Sequence, residues 1–258
     1  TPLIAALYCV HGPERWLPFS YASVYDSVWR VYFFISSRRW FGPAHDNHSL
    51  LEMIAGLPDA AGKVRVERGD WGREEEQRNY SLAVAQYDGA HYGLIIDADE
   101  VYENQELKMM LDFAISRPEE ECWHVRWFTY WQSLHFRIDP VEPYDPPFLA
   151  KLGSCGFLET RNIAAERHAL IPPEIGMCHH LSYVRTDEEL AGKHIFFPGH
   201  AQSMRPGWFE EVWQGWRFNH DMENLHPVNP PQFKRAVPQP LELVPKVLRE
   251  LYLSGKER

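Results

Sequence analysis

The sequence predicts an α/β fold, a mostly parallel sheet flanked by helices. Two observations carry this. Short strand-like runs at 3–10, 31–35, 63–67 and 92–96 alternate with stretches of helical spacing, and the connections are long enough for crossovers. The last run, Tyr92-Gly-Leu-Ile-Ile96, ends abruptly in Asp97-Ala98-Asp99-Glu100. Three carboxylates at one strand exit repel one another unless positive charge sits among them. Ligands of open α/β sheets bind beyond the carboxyl ends of strands. A divalent cation held by carboxylate oxygens is therefore expected there.

Each element has its own signal. The run 3–10 is apolar and is broken by His11-Gly-Pro13; 14–28 then has helical spacing through Trp16, Phe19, Ser20, Ser23 and Val24. The strand at 31–35 ends at Ser36-Ser37, and a polar loop with Gly42-Pro43 and Asp46-Asn47 leads to a short helix at 49–55. After the third strand, Gly69-Asp-Trp-Gly72 is a turn, and 73–87 is a helix with apolar positions at Tyr80, Ala83, Val84 and Tyr87. A helix at 107–115 and a strand at 122–131 follow the acidic motif. Four prolines make 138–147 a loop, 148–185 reads as short strands, and helices are expected at 208–219 and 240–253. The expected organisation is one domain over 1–205 with a C-terminal helical extension, 206–258, packed on it.

Composition narrows the classes. The 258 residues carry a formal charge of −10, which argues against a binder of bare duplex DNA. Cys9, Cys122, Cys155 and Cys178 show neither metal-ligand spacing nor a disulfide framework, which fits a reducing cytoplasm. No apolar window is long enough for a membrane span, and the first strand lacks the basic flank of a signal peptide.

Four features together resemble a glycosyltransferase of the GT-A fold, similar to the family 2 enzymes. They are the opening "LIAALYCVHGPERWL", Gln77-Arg78-Asn79 opening a helix, "LIIDADEVY" as a DxD strand end, and His180-Leu-Ser-Tyr-Val-Arg185 followed by Lys193. The resemblance covers roughly 3–200. It implies sugar transfer from a nucleotide-sugar, with UDP-sugars favoured, to a glycan or small-molecule acceptor, assisted by Mn²⁺ or Mg²⁺. It implies Asp99 as the main metal ligand, Asp97 on the ribose or metal, His180 on the metal or phosphate, and Arg78 on the diphosphate. Val10, Gly12, Glu14, Ser36 and Ala98 complete the implied donor contacts. Ser36-Ser37 stands where many relatives have an acidic residue, and Gly12-Pro13-Glu14 where many have Asn-Glu, so the nucleotide base stays open.

Inversion needs a carboxylate within reach of the acceptor hydroxyl. Glu166, Glu142, Asp139 and Glu174 all qualify, with Glu166 preferred for lying in the strand-rich part before His180. Each assignment has a bland counterpart. The acidic motif can be a helix N-cap, Arg78 can pair with Glu74 or Glu75, and His180 can be a strand histidine with His179 on the opposite face. His194 and His200 read as structural. Asp70 and Trp71 read equally as turn or donor contact, Trp131 as core with acceptor stacking as the alternative, and Trp208, Trp213 and Trp216 as a packed helix face. A nucleotidyltransferase, a non-catalytic sugar-nucleotide or glycan binder, and a transferase acting on a modified nucleic-acid base are the rival readings.

Overall fold

The computed structural model describes residues 2–12, 14–40, 42–44, 46–196 and 204–256. The chain divides into two compact units: Thr1–Val125 with Asp145–Cys178, and Arg126–Tyr144 with His179–Arg258. The expected boundary at 205/206 is therefore not where the chain divides. The break falls inside the single strand expected over 122–131, which is two strands separated at Val125 and Arg126.

The first unit is α/β. Its strands are β1 (Ile4–Val10), β2 (Arg30–Ser36), β3 (Val64–Gly69), β4 (Tyr92–Ile96), β5 (Glu100–Val101) and β6 (Cys122–His124). Helices α1 (Leu17–Val24), α2 (His48–Ala55), α3 (Glu74–Tyr87) and α4 (Asn104–Ile115) alternate with them. β7 (Trp127–Trp131) and β8 (Ser133–Asp139) belong to the second unit; β9 (Pro147–Lys151), β10 (Gly156–Glu159), β11 (Asn162–Ala164) and β12 (His168–Leu170) return to the first.

The central sheet has seven strands in the order β12-β6-β9-β4-β1-β2-β3. Every pairing is parallel except those of β9, which runs antiparallel between β4 and β6. Every residue of β1 and β4 is buried, as expected of strands covered on both faces. The register aligns Val10 with Ile35, Tyr8 with Ile96 and Ser36 with Gly69, so β1, β2, β3 and β4 all end at one edge.

In the second unit, β14 (Arg235–Pro238), β8, β7 and β13 (Cys178–Tyr183, all but its first residue) lie side by side in that order. α5 (Asp187–Phe196) follows β13, and α6 (Arg249–Ser254) ends the unit. The expected helix at 208–219 is a π-helical turn, Phe209–Gln214, running into a 3₁₀ turn, Gly215–Arg217. The one expected at 240–253 is two 3₁₀ turns and α6, because Pro240 and Pro245 interrupt it. Trp131, Trp208, Trp213 and Trp216 are all at most 1% exposed and share one core with Tyr183 and Phe233. Trp131 is thus core and has no face for an acceptor. His200 lies outside the described residues, as do the side chains of Lys193 and His194.

Candidate functional site

The acidic motif is a tight turn leaving β4. The Glu100 amide donates to the Asp97 carbonyl at 3.1 Å, and the Asp97 amide donates back to Glu100 Oε2 at 2.9 Å. The Ser20 hydroxyl on α1 also donates to the Asp97 carbonyl, at 3.3 Å. The turn is therefore fixed from three sides by short-range polar contacts.

Two guanidinium groups answer the expected carboxylate repulsion. Arg78 Nη2 donates to Asp97 Oδ1 at 2.9 Å, and Arg161 Nη1 donates to Asp97 Oδ2 at 2.7 Å. The same Arg161 nitrogen donates to Glu100 Oε1 at 2.6 Å, and Arg78 Nε donates to Glu74 Oε1 at 2.7 Å. The result is a chain of alternating charge, Glu74–Arg78–Asp97–Arg161–Glu100. Burial alone would push the Asp97 carboxyl up; Arg161 and Arg78 outweigh it and hold the group below the usual carboxylate range.

This network corrects two expectations. Arg78 is buried and its charge is committed to Glu74 and Asp97, so it does not stand ready for a diphosphate. Each Asp97 oxygen already accepts from an arginine, which neutralises the charge that would draw a metal. Asp99, next along the turn, is 8% exposed, and Ala98 beside it is buried. Arg161 sits at the tip of the β10–β11 hairpin, beside Thr160 with its φ of 47°. No spacing in the sequence ties it to Asp97.

The neighbouring strand exits are joined by Asn47, which the sequence reading also missed. Its Nδ2 donates to the Ser36 carbonyl at 2.7 Å, and its Oδ1 accepts from the Gly12 amide at 2.8 Å. Gly12 has a φ of 69°, a conformation that favours glycine just past Val10. The Ser36 hydroxyl is taken up by Trp71, donating to its carbonyl at 3.1 Å, so it orders a turn and is not presented to a ligand. Asp70 accepts from Ser37 Oγ and Arg38 Nε, both at 2.6 Å. Trp40 spans this edge, donating to Gln77 at 2.6 Å, packing against the His11 ring at 5.2 Å and lying under Arg78. Glu14 is half-buried, with its Oε1 at 3.5 Å from the Trp16 amide.

Glu166 is in the wrong place for a base at this edge. It is exposed and precedes β12, whose His168 pairs with Cys122. β12 and β6 run in the same direction as β4, so Glu166 lies at the amino-terminal edge of the sheet, opposite Asp97. Glu174 is exposed, and Asp139 pairs with Arg137 and Arg235.

In the second unit, Glu142 is 2% exposed and accepts from the Thr129 hydroxyl at 2.5 Å. His180 Nδ1 stands 3.8 Å from the same Glu142 oxygen, and its ring stacks on Trp127 at 4.0 Å. His179 faces the other way, with Nδ1 3.0 Å from the Tyr130 hydroxyl. Burial pushes the His179 pKa down to about 3, so it is a neutral core histidine.

No family model matches this chain, and no curated protein matches it. Among solved structures, S. aureus TarS aligns over 84% of this chain and 44% of its own length, at 11% identity and a TM-score of 0.46. S. aureus TarS 1–349 aligns over 85% and 73%, at 9% identity and a TM-score of 0.45. The same protein in complex with UDP aligns over 51% and 36%, at 15% identity and a TM-score of 0.33. The chain spans less than half the length of the first of these.

Proposed function

We propose that this chain is a nucleotide-sugar-dependent glycosyltransferase acting on an acceptor hydroxyl by in-line displacement with inversion. The observation that carries the reading is Asp99, a buried carboxylate in the turn beyond β4, at the edge where the parallel strands end. Asp99 fits a hard cation as a single carboxylate ligand, completed by diphosphate oxygens and water, which suits Mg²⁺ or Mn²⁺. Such an ion supplies a Lewis acid for the charge that develops on a departing nucleoside diphosphate. Arg78 and Arg161 act indirectly: by clamping Asp97 and Glu100 they hold the turn that presents Asp99. Gly12, Asn47 and Ser36 shape the adjoining strand exits against a donor, for which UDP-sugars are the first choice. The base is a further carboxylate within reach of the acceptor hydroxyl, and Glu166, at the opposite edge of the sheet, is misplaced for it.

Nucleotide release tests this, measured with UDP-, GDP-, dTDP- and CMP-sugars, with and without oligosaccharide acceptors, in Mn²⁺, Mg²⁺ or EDTA. Metal-dependent release that rises with acceptor supports transfer. A second reading, binding without turnover, draws on the neutralised Asp97. Donor binding with no release under any condition would favour it.

A further inference from the structure

At the β12 edge of the first unit, far along the sheet from β3, three soft ligands converge, with their ligand atoms within 4.8 Å of one another. Cys122 and His124 are two apart on β6 and so share a face of the strand. β12 pairs in parallel and brings His168 opposite Cys122. The Cys155 thiol, in the segment after β9, is engaged elsewhere, donating to the Glu121 carbonyl at 3.1 Å. Cys122 Sγ lies 3.7 Å from His124 Nε2, which lies 2.9 Å from His168 Nδ1.

We infer that Cys122, His124 and His168 form a binding site for a soft divalent cation, with Zn²⁺ the first choice. Tetrahedral zinc, with bonds of about 2.3 Å to sulfur and about 2.0–2.1 Å to nitrogen, sets ligand atoms about 3.5 Å (S to N) and about 3.3 Å (N to N) apart. The two observed separations bracket these values. The orientation of His124 is that of a ligand. Its Nδ1 stands 2.9 Å from the Asp145 carbonyl oxygen, which can only accept. Nδ1 therefore carries the proton, and the Nε2 lone pair faces Cys122 and His168, the arrangement a carbonyl imposes on metal-binding imidazoles. His168 is exposed, which gives the ion a way in.

Binding would transfer the thiol proton of Cys122 to solvent; one thiolate and two neutral imidazoles leave a net charge of +1 and a fourth tetrahedral position for water, and no electron moves. Thiolate and imidazole ligands select zinc over magnesium or manganese, so this site and the Asp99 turn take different ions. Its consequence is structural. β12 is an edge strand of three residues, and the ion would fasten it to β6.

The test does not depend on glycosyl transfer. The purified chain, reduced and then dialysed, is assayed for zinc by mass spectrometry and titrated with Co²⁺. We expect about one zinc per chain and a thiolate-to-cobalt charge-transfer band, with the band lost in Cys122→Ser. His168→Ala, a change at an exposed residue that leaves the fold intact, should weaken cobalt binding more than about tenfold. Asp99→Asn should leave both signals unchanged. Trace zinc with no charge-transfer band would overturn the inference. So would equal metal retention in His168→Ala, or loss of the band in Asp99→Asn.

Discussion

Arg161 Nη1 stands 2.7 Å from Asp97 Oδ2, joining a hairpin tip to the turn after β4 across 64 residues of chain. The same nitrogen holds Glu100, which is 1% exposed. Arg161→Ala leaves a buried Glu100 carboxylate without its cation. Removing one partner of a buried pair costs about 3–5 kcal/mol. Urea unfolding should show a loss of that size, partly recovered when Glu100→Gln is added. Full stability in Arg161→Ala would show that the contact is not formed.

His179 makes stability depend on pH in a defined direction. The folded protein holds it neutral, with its pKa pushed down to about 3, while the unfolded chain binds a proton near the ordinary value of about 6.5. Its contribution is therefore fully present above about pH 6.5 and is lost as pH falls from there towards 3. His179→Phe should remove this part of the acid sensitivity. The check is the difference in unfolding free energy between wild type and variant from about pH 7 to 5; a constant difference would refute the assignment.

Trp131 stands at the centre of the second unit's core, 5.3 Å from Trp213 and 5.4 Å from Tyr183 between ring centroids. Trp131→Ala should lower stability by about 3–5 kcal/mol, the usual cost of deleting a buried aromatic ring. Were Trp131 an acceptor platform instead, the same change would lower activity with little effect on the denaturation midpoint.

Glu166 stands at the edge of the sheet opposite Asp97, so Glu166→Gln should retain wild-type kcat. Loss of a general base lowers turnover about 10²–10⁴-fold. A fall of that size with circular dichroism unchanged would restore Glu166 as the base.

The parallel part of the fold was legible because β1, β2 and β4 are buried on both faces and read as continuous apolar runs. β9 falls among the short strands expected over 148–185, but its antiparallel entry between β4 and β6 was not legible. The 122–131 run looked like one strand because local pattern does not record that the chain passes between units at Val125. The acidic turn was legible as a cluster of charge, but its counter-charge was not. Arg78 was visible as a helix residue with Glu74 one turn earlier, while Arg161 meets Asp97 only through folding. Cys122, His124 and His168 were illegible for the same reason, since the pairing of β12 with β6 brings them together and their spacing in sequence does not.

The central claim is that Asp99 carries metal-dependent donor binding, and one measurement addresses it most directly. Wild type and Asp99→Asn are compared in a thermal-shift panel of UDP-, GDP-, dTDP- and CMP-sugars, each with Mn²⁺, Mg²⁺ or EDTA. A ligand that binds only the folded state raises its melting temperature. The account predicts a rise for wild type with one nucleotide class, abolished by EDTA and absent in Asp99→Asn, whose melting temperature without ligand matches wild type. An equal, metal-dependent rise in both proteins would contradict it, as would no rise in wild type with any donor.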